Sequence, residues 1–346
     1  TDQNNLDGSI PDELQVLDMI AELNLSNNTL KGTISSFLPS LAGLQTYDVA
    51  FNQLTGTIPT FLGAFSNLQE LSLNNNQLTM TIPTQIGNAK ALVTLQLDDN
   101  LLTGAIPSEL GQLSDTLTTL SVGINDLRGA IPLELYDLTS LMEMVLEGNR
   151  LTGIISTSVG DLVSLTTLDL SNNQLGGNLP ITLGRLSNLV TLDLASNDLM
   201  GTLRDTFAPF TQLETIDLSS NEIQGPLPSR LFDLPNIQTI LLDRNRFDGV
   251  IPENLGNAEQ LQQLLLSFNL LSGNVPEIDI GSLAQLQSIE LRNNQLTGSM
   301  AASICRLRSP RFGSLTELTS DCSGLANPRI DCDLPSCCTA CFPLRV

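Results

Sequence analysis

The chain has 346 residues, 37 acids against 15 bases, no His and no Trp, and a formal net charge of −22. That balance excludes a phosphate-backbone binder, which must bring Lys and Arg to neutralise charge, and the missing imidazole excludes His-based catalysis and His metal ligation. With 41% hydrophobic residues the chain is not disordered. No signal peptide is visible in these residues, nor an apolar run of about 18 residues to span a bilayer, and the charge disfavours anionic membranes.

One period organises the chain. Gly recurs at Gly8, Gly32, Gly56, Gly104, Gly129, Gly153, Gly177, Gly201, Gly225, Gly249, Gly273 and Gly298, with Met80 in the remaining slot, in steps of 24 residues except for two of 25. Four residues before each mark stands Asn: Asn4, then Asn28, Asn52, Asn76, Asn100, Asn125, Asn149, Asn173, Asn197, Asn221, Asn245, Asn269 and Asn294. The full pattern is L-x-x-L-x-L-x-x-N-x-L-x-G-x-[IL]-P, as in Leu165, Leu168, Leu170, Asn173, Leu175, Gly177, Leu179 and Pro180. L-x-L predicts a short strand with its leucines inward and the middle residue in solvent. The Asn amide both donates and accepts, so stacked Asn residues predict a buried ladder across the turns. Gly permits a backbone that a Cβ hinders, and Ile/Leu-Pro ends pairing and opens the next segment. One coil cannot bury its leucines alone, so stacking must supply stability.

This pattern resembles the leucine-rich repeat family, in its 24-residue plant-type class, over about residues 4–300. The resemblance implies an α/β solenoid: a leucine-rich repeat superhelix of about 12–13 coils with a parallel concave β-sheet and short helical turns on the convex side. Residues 1–300 are then the solenoid and 301–346 a Cys-rich C-terminal cap. Ser35, Ser156 and Arg204 replace Pro, and the extra residues of the long steps fall near Ser114–Thr116 and Glu277–Ile280.

From the N-terminus onward, Thr1–Leu6 already lie inside a repeat. The plant-type resemblance implies an N-terminal cap, which this sequence lacks, so Leu6, Ile10 and Leu14 are expected to be exposed. Upstream residues or a partner would cover them. Two overlapping glycosylation acceptors follow, Asn24-Leu25-Ser26 and Asn27-Asn28-Thr29.

Exposed positions read as columns about 4.8 Å apart. The residue between the strand leucines gives an acidic stripe, Asp169, Asp193 and Asp217, beside Thr167, Thr191 and Thr215. Like charges at this spacing repel, so the stripe is a solvated acidic face or is bridged by calcium or a basic partner. Further on, Leu241, Leu265 and Phe268 occupy solvent-facing slots, with Arg244, Arg292, Asp243 and Glu290 around them. An apolar centre with a charged rim fits a ligand-binding hot spot, and local packing is the alternative. On another face Thr33, Thr55, Thr57, Thr79, Thr81 and Thr103 recur, and the rows stop at Ala105, Ala130 and Ile154. They fit half-exposed extended backbone or, as a minor alternative, an ice-binding surface.

All six cysteines lie at the end: Cys305, Cys322, Cys332, Cys337, Cys338 and Cys341. An even set beyond the last coil reads as a disulfide-stapled cap with fifteen pairings open. C-x4-CC-x2-C without His is a poor zinc pattern. Ser314–Asp321 is expected to add a last strand over the core. The ending resembles that of extracellular leucine-rich repeat proteins of diatom-like algae, which implies a secreted or cell-surface protein.

The function these features support is a non-catalytic extracellular binding module. It recognises a protein, peptide or glycan, basic or cation-bridged, through the acidic concave or lateral surface, as a receptor ectodomain, adhesin or inhibitor does. The alternative is a self-assembling subunit of a wall, sheath or filament. Carboxylate pairs such as Asp169 and Asp193 lack the pocket that glycosidase chemistry needs. Neither a nucleic-acid partner, nor membrane insertion by this chain, nor a required cofactor is expected.

Overall fold

The computed structural model describes residues 4–203, 210–279, 281–321, Cys337 and 340–342. They fall into two compact units, Thr1–Leu175 and Gly176–Val346, built from the same coil.

One coil of the first unit shows how the sequence makes it. Thr119–Ser121 is a strand whose Leu120 is buried, and Val122 buries next to it. The chain then turns through Ile124, whose φ is 48°. Asn125 follows, and Asp126–Gly129 forms a second strand. Pro132, extended at φ −58°, precedes a 3-10 turn over Leu133–Asp137. Proline suits this place because its φ is preset and it has no N–H to leave unpaired. Leu138 and Leu141 return the chain to the core. Leu120 stands in register with Leu95 of the preceding coil and Met144 of the following one, and each buried Leu contributes about 2 kcal/mol of hydrophobic stabilisation.

In the first unit the leading strands pair in parallel and in register, from Glu22–Asn24 through Thr46–Asp48, Glu70–Ser72, Thr94–Gln96, Thr119–Ser121 and Glu143–Val145 to Thr167–Asp169. In the second unit the same ladder runs from Thr191–Asp193 through Thr215–Asp217, Thr239–Leu241 and Gln263–Leu265 to Ser288–Glu290. The expected last strand is Glu317–Asp321, paired to Ser288–Glu290. A further strand, Ala340–Phe342, pairs beyond it.

Three features differ from expectation or extend it. A second parallel ladder runs beside the first: Asp7–Ser9, Thr29–Thr33, Gln53–Thr57, Gln77–Met80, Leu101–Gly104, Asp126–Gly129 and Arg150–Ile154 in the first unit. The L-x-G-x segment therefore pairs before Pro stops it. At the start of the chain Leu6 is 43% exposed as expected, but Ile10 is only 5% exposed and Leu14 is half-buried. Val16, Leu17 and Met19 are the exposed apolar groups instead. The first extra residue falls within Ser114–Thr116 as expected: Leu117 donates its N–H to the Leu113 carbonyl, four residues back, at 3.0 Å, where Leu92 and Leu141 reach only three residues back, to Ala89 and Leu138.

Gly56 shows why the Gly column exists. Its φ is +83°, and a Cβ there would stand 2.8 Å from Thr33 Cγ2 of the preceding coil. Met80 takes the same left-handed backbone, φ 70°, with a side chain attached. Where Ser156 replaces Pro, its Oγ accepts the N–H of Ser158 at 3.2 Å and caps the 3-10 turn.

Candidate interaction surface

The ladder asparagines hold each strand face in place. Asn221 donates to the carbonyls of Leu194, Leu218 and Ser219 at 2.9, 3.1 and 3.1 Å, and its Oδ1 accepts the N–H of Leu199 at 3.0 Å. Asn28, Asn52, Asn76, Asn100, Asn125, Asn149, Asn173, Asn245, Asn269 and Asn294 donate to carbonyls in the same manner, as does Asn197 to Leu194 and Ala195.

The acidic column is in register and also has a local task. Asp169 Oδ1 accepts the N–H of Ser171, Asp193 Oδ1 that of Ala195, and Asp217 Oδ1 that of Ser219, at 2.8–3.0 Å. Each carboxylate thus closes an Asx turn at the end of its own strand. Asp48 does the same for Ala50, and Asn24 for Ser26. Asp193 and Asp217 are register neighbours in the second unit. Asp169 belongs to the first, beside Val145. Among the described residues no group of three or more Asp, Glu or Cys converges as a metal site.

The first unit segregates its charge. Residues 1–175 carry 19 acids and only 4 bases, and each of the bases has an occupied place elsewhere. Lys31 pairs with Asp7, while Arg128 and Arg150 both pair with Asp126, all from the second ladder. Lys90 donates to the carbonyls of Gly87 and Gln112. The strand face keeps Glu22, Asp48, Glu70, Asp98, Glu143, Glu147 and Asp169 with no Lys or Arg among the described residues.

Within that face Asp98, Glu147 and Asp169 crowd together. Burial pushes the Asp98 carboxyl up against a 2.8 Å bond from Ser121 Oγ. Glu147 is raised by burial first, then by the charges of Asp169 and Asp98. The column reading by strand residues missed this cluster. Its signal was one column over, where Asp98, Gly123 and Glu147 succeed one another two residues after the exposed strand position.

The second unit brings the predicted apolar group together. Leu241 and Leu265 are register neighbours, both half-buried, with Asp217 on one side and Glu290 on the other. Phe268 is also half-buried. The Arg244 guanidinium carbon stands 4.7 Å from its ring centroid and that of Arg292 5.2 Å, both in cation–π range. The ring is therefore lined by guanidinium groups, and the Leu241–Leu265 pair forms the apolar centre. Arg244 Nε lies 3.6 Å from Asp243 Oδ2. The Asp243 carboxyl is pushed up by burial, then by Asp217, with Glu290 adding and Arg244 opposing. Ser267 Oγ donates to Glu290 Oε2 at 3.4 Å.

Arg244 and Phe268 share a property that sequence reading did not supply. Both hold left-handed backbone, at φ 54° and 58°, as do Phe51 and Ile124 in the first unit. Asn27, Asn75 and Asn172 fill the same column elsewhere. Asn accepts this geometry readily and a bulky side chain does so at a cost.

The remaining predicted residues divide between described and undescribed regions. Cys305 forms a disulfide with Cys337, Cα–Cα 5.1 Å, and Arg308 donates to the Cys337 carbonyl at 2.8 Å. Cys341 lies on the strand Ala340–Phe342. Cys322, Cys332, Cys338 and Arg204 fall outside the described residues. Asn24 and Asn27 are both exposed. The hydroxyls of Thr55 and Thr79 donate to the carbonyls of Gly32 and Gly56 in the preceding coils. No helix among the described residues is long and apolar enough to cross a membrane.

The leucine rich repeat family model matches residues 115–175, and a second model of the same repeat matches 20–41, 67–89, 91–113, 212–234 and 285–307. Among curated proteins no sequence matches. Among solved structures, the plant peptide hormone receptor RGFR1 in complex with RGF2 is 33% identical at a TM-score of 0.84, over 87% of this chain and 48% of that one. The TDR receptor is 30% identical at a TM-score of 0.85, over 88% and 52%. A plant ice-binding protein is 27% identical at a TM-score of 0.57, over 75% and 76%. The chain spans about half the length of the two receptors.

Proposed function

Because the chain belongs to the leucine-rich repeat family, we propose that it is a non-catalytic, extracellular binding module that recognises a protein or peptide on its strand face. The observation that carries this reading is the Leu241–Leu265 pair. Two leucines stand in register, between the carboxylates of Asp217 and Glu290, in a column whose members in the paired strands before them are polar except for Val145. Next to them two arginines stack on Phe268. Solvent-facing apolar groups with a charged surround are what an interface centre requires. The solved peptide hormone receptor supports the class of partner. The Cys305–Cys337 disulfide supports an oxidising compartment.

The charge segregation of the first unit adds that the partner carries basic residues. Such a partner is steered by long-range attraction, so its association rate falls with salt. The test is affinity capture from native cell-surface extract on wild-type protein and on Leu265→Asp, followed by association kinetics of the captured polypeptide at two salt concentrations. The reading expects a polypeptide retained by wild type and lost by the variant, binding more slowly in high salt. Identical retained sets would overturn the site, and a salt-independent rate would overturn the basic character of the partner.

Ice binding is a second reading. It is favoured by the register of Thr33 with Thr55 and of Thr57 with Thr79 on the second ladder and by the solved ice-binding protein. An ice-recrystallisation assay in which the protein leaves crystal growth unchanged would remove it.

A further inference from the structure

Glu147 lies where no other residue of its column could let it lie. A Cβ built on Gly123, in the preceding coil, would overlap the Glu147 carboxylate, with Oε1 2.7 Å away. Gly123 has no side chain, so the carboxylate reaches back over it as over a shelf, toward the coil that carries Asp98. Gly123 is buried beneath it. Here glycine is required for room rather than for its backbone, since Gly123 does not have a left-handed φ.

The place is poor for a charge. Glu147 Oε2 is buried and has no hydrogen-bond partner among the described residues. A buried ionised oxygen with neither water nor a donor is strongly disfavoured. The charged groups around it are all of one sign. Asp98 acts on it from the coil before Gly123, Glu143 stands on the strand Glu143–Val145 that leads into it, and Asp169 lies on the following strand. The coil of Gly123 offers Asp126, but that carboxylate is held on the second ladder by Arg128 and Arg150. Asp98 and Asp169 already accept from Ser121 Oγ and Ser171 N.

We propose that Glu147 is a proton-operated arm: protonated, it lies on the Gly123 shelf, and on ionisation it leaves the shelf and adds its charge to the strand face. The upward push on its carboxyl from burial, Asp169 and Asp98 agrees in direction. Leaving the shelf restores water to the carboxylate and carries it away from two like charges. The device stands independently of what the face binds.

The sign of its effect on stability follows from linkage. A carboxyl whose folded pKa is raised holds its proton at pH values where the unfolded chain has lost it. The folded state then binds more protons than the unfolded state, so stability rises as pH falls through that window. Asp98 is shifted the same way, so the contribution of Glu147 must be isolated by substitution.

The experiment is a carbon-detected NMR titration of side-chain carboxyls, with melting temperature followed over the same pH series. It compares wild type, Glu147→Gln and Gly123→Ala. Alanine at 123 meets only the far end of a flexible side chain, so the backbone accepts it and the arm is evicted. The Glu147 resonance, assigned by its loss in Glu147→Gln, should titrate higher in wild type than in Gly123→Ala. The gain in melting temperature on acidification should be smaller in both variants than in wild type. Equal Glu147 midpoints in wild type and Gly123→Ala would overturn the proposal. So would a Glu147→Gln protein that keeps the full wild-type pH dependence, a comparison that holds even if Gly123→Ala does not fold.

Discussion

Asn149 Oδ1 accepts the backbone N–H of Leu127, one coil earlier, at 3.0 Å. Its amide nitrogen donates to the carbonyls of Val122, Leu146 and Glu147 at 3.1, 3.1 and 3.2 Å. One side chain thus closes its own turn and fastens it to the coil before.

Asn149→Ala leaves a buried N–H and three carbonyls without this partner. Each unsatisfied buried group costs about 1–3 kcal/mol, so the variant should lose about 3 kcal/mol or more. Urea unfolding followed by circular dichroism would measure it. A loss under about 1 kcal/mol would mean that water replaces the amide, which a buried turn should prevent.

The Gly column predicts two opposite substitutions. Gly56→Ala puts a Cβ 2.8 Å from Thr33 Cγ2 on a backbone at φ +83° and should destabilise by about 1–2 kcal/mol. Met80→Gly removes a side chain from left-handed backbone at φ 70° and should stabilise by about 1 kcal/mol. Thermal unfolding of both variants beside wild type tests the pair. Two shifts of the same sign would contradict it.

Tyr47 fills an inward strand slot with no surface exposed, and its hydroxyl has no partner among the described residues. Burial holds its pKa well above the ordinary tyrosine range, so the group stays neutral and simply goes unsatisfied. Tyr47→Phe removes the oxygen and keeps the ring. It should be neutral or stabilising by about 1 kcal/mol, read from the urea midpoint.

At the proposed interaction surface, Phe268→Asn should separate stability from binding. Asn suits the left-handed backbone that Phe268 holds at φ 58°, so the fold should be as stable as wild type or up to about 1 kcal/mol more so. The stacking platform for Arg244 and Arg292 is lost with the ring. Capture of the partner should then fall at least tenfold while the melting temperature holds. Undiminished capture would show that the ring is only packing.

Much of the coil could be read from composition and spacing. The Asn in every repeat identifies the ladder because its short side chain offers a carbonyl acceptor and an amide nitrogen with two donors, enough to bond several backbone groups of a turn at once. The L-x-L strands and their register follow from alternation, and the structure places Asn24, Asp48, Ser72, Gln96, Ser121, Val145 and Asp169 side by side as the columns predict. Leu241 and Leu265 were legible as surface leucines for the same reason. The second ladder was not, since Thr-Gly-Thr carries no alternation that marks a pairing strand and Pro argues for a stop.

The sequence alone thus determined the repeat, its strand columns and the acidity of its surface, because these depend on period and composition. Only the tertiary structure decided which carboxylates are crowded and which cations are already paired. It set Arg244 and Arg292 against Phe268, laid Glu147 across Gly123, and drew all four cations of the first unit away from its strand face. Long side chains choose their neighbours by reach and by the space the next coil leaves open, and for Arg150 with Asp126, Arg244 with Phe268 and Glu147 with Gly123 that choice is made between adjacent coils, beyond what a single repeat encodes.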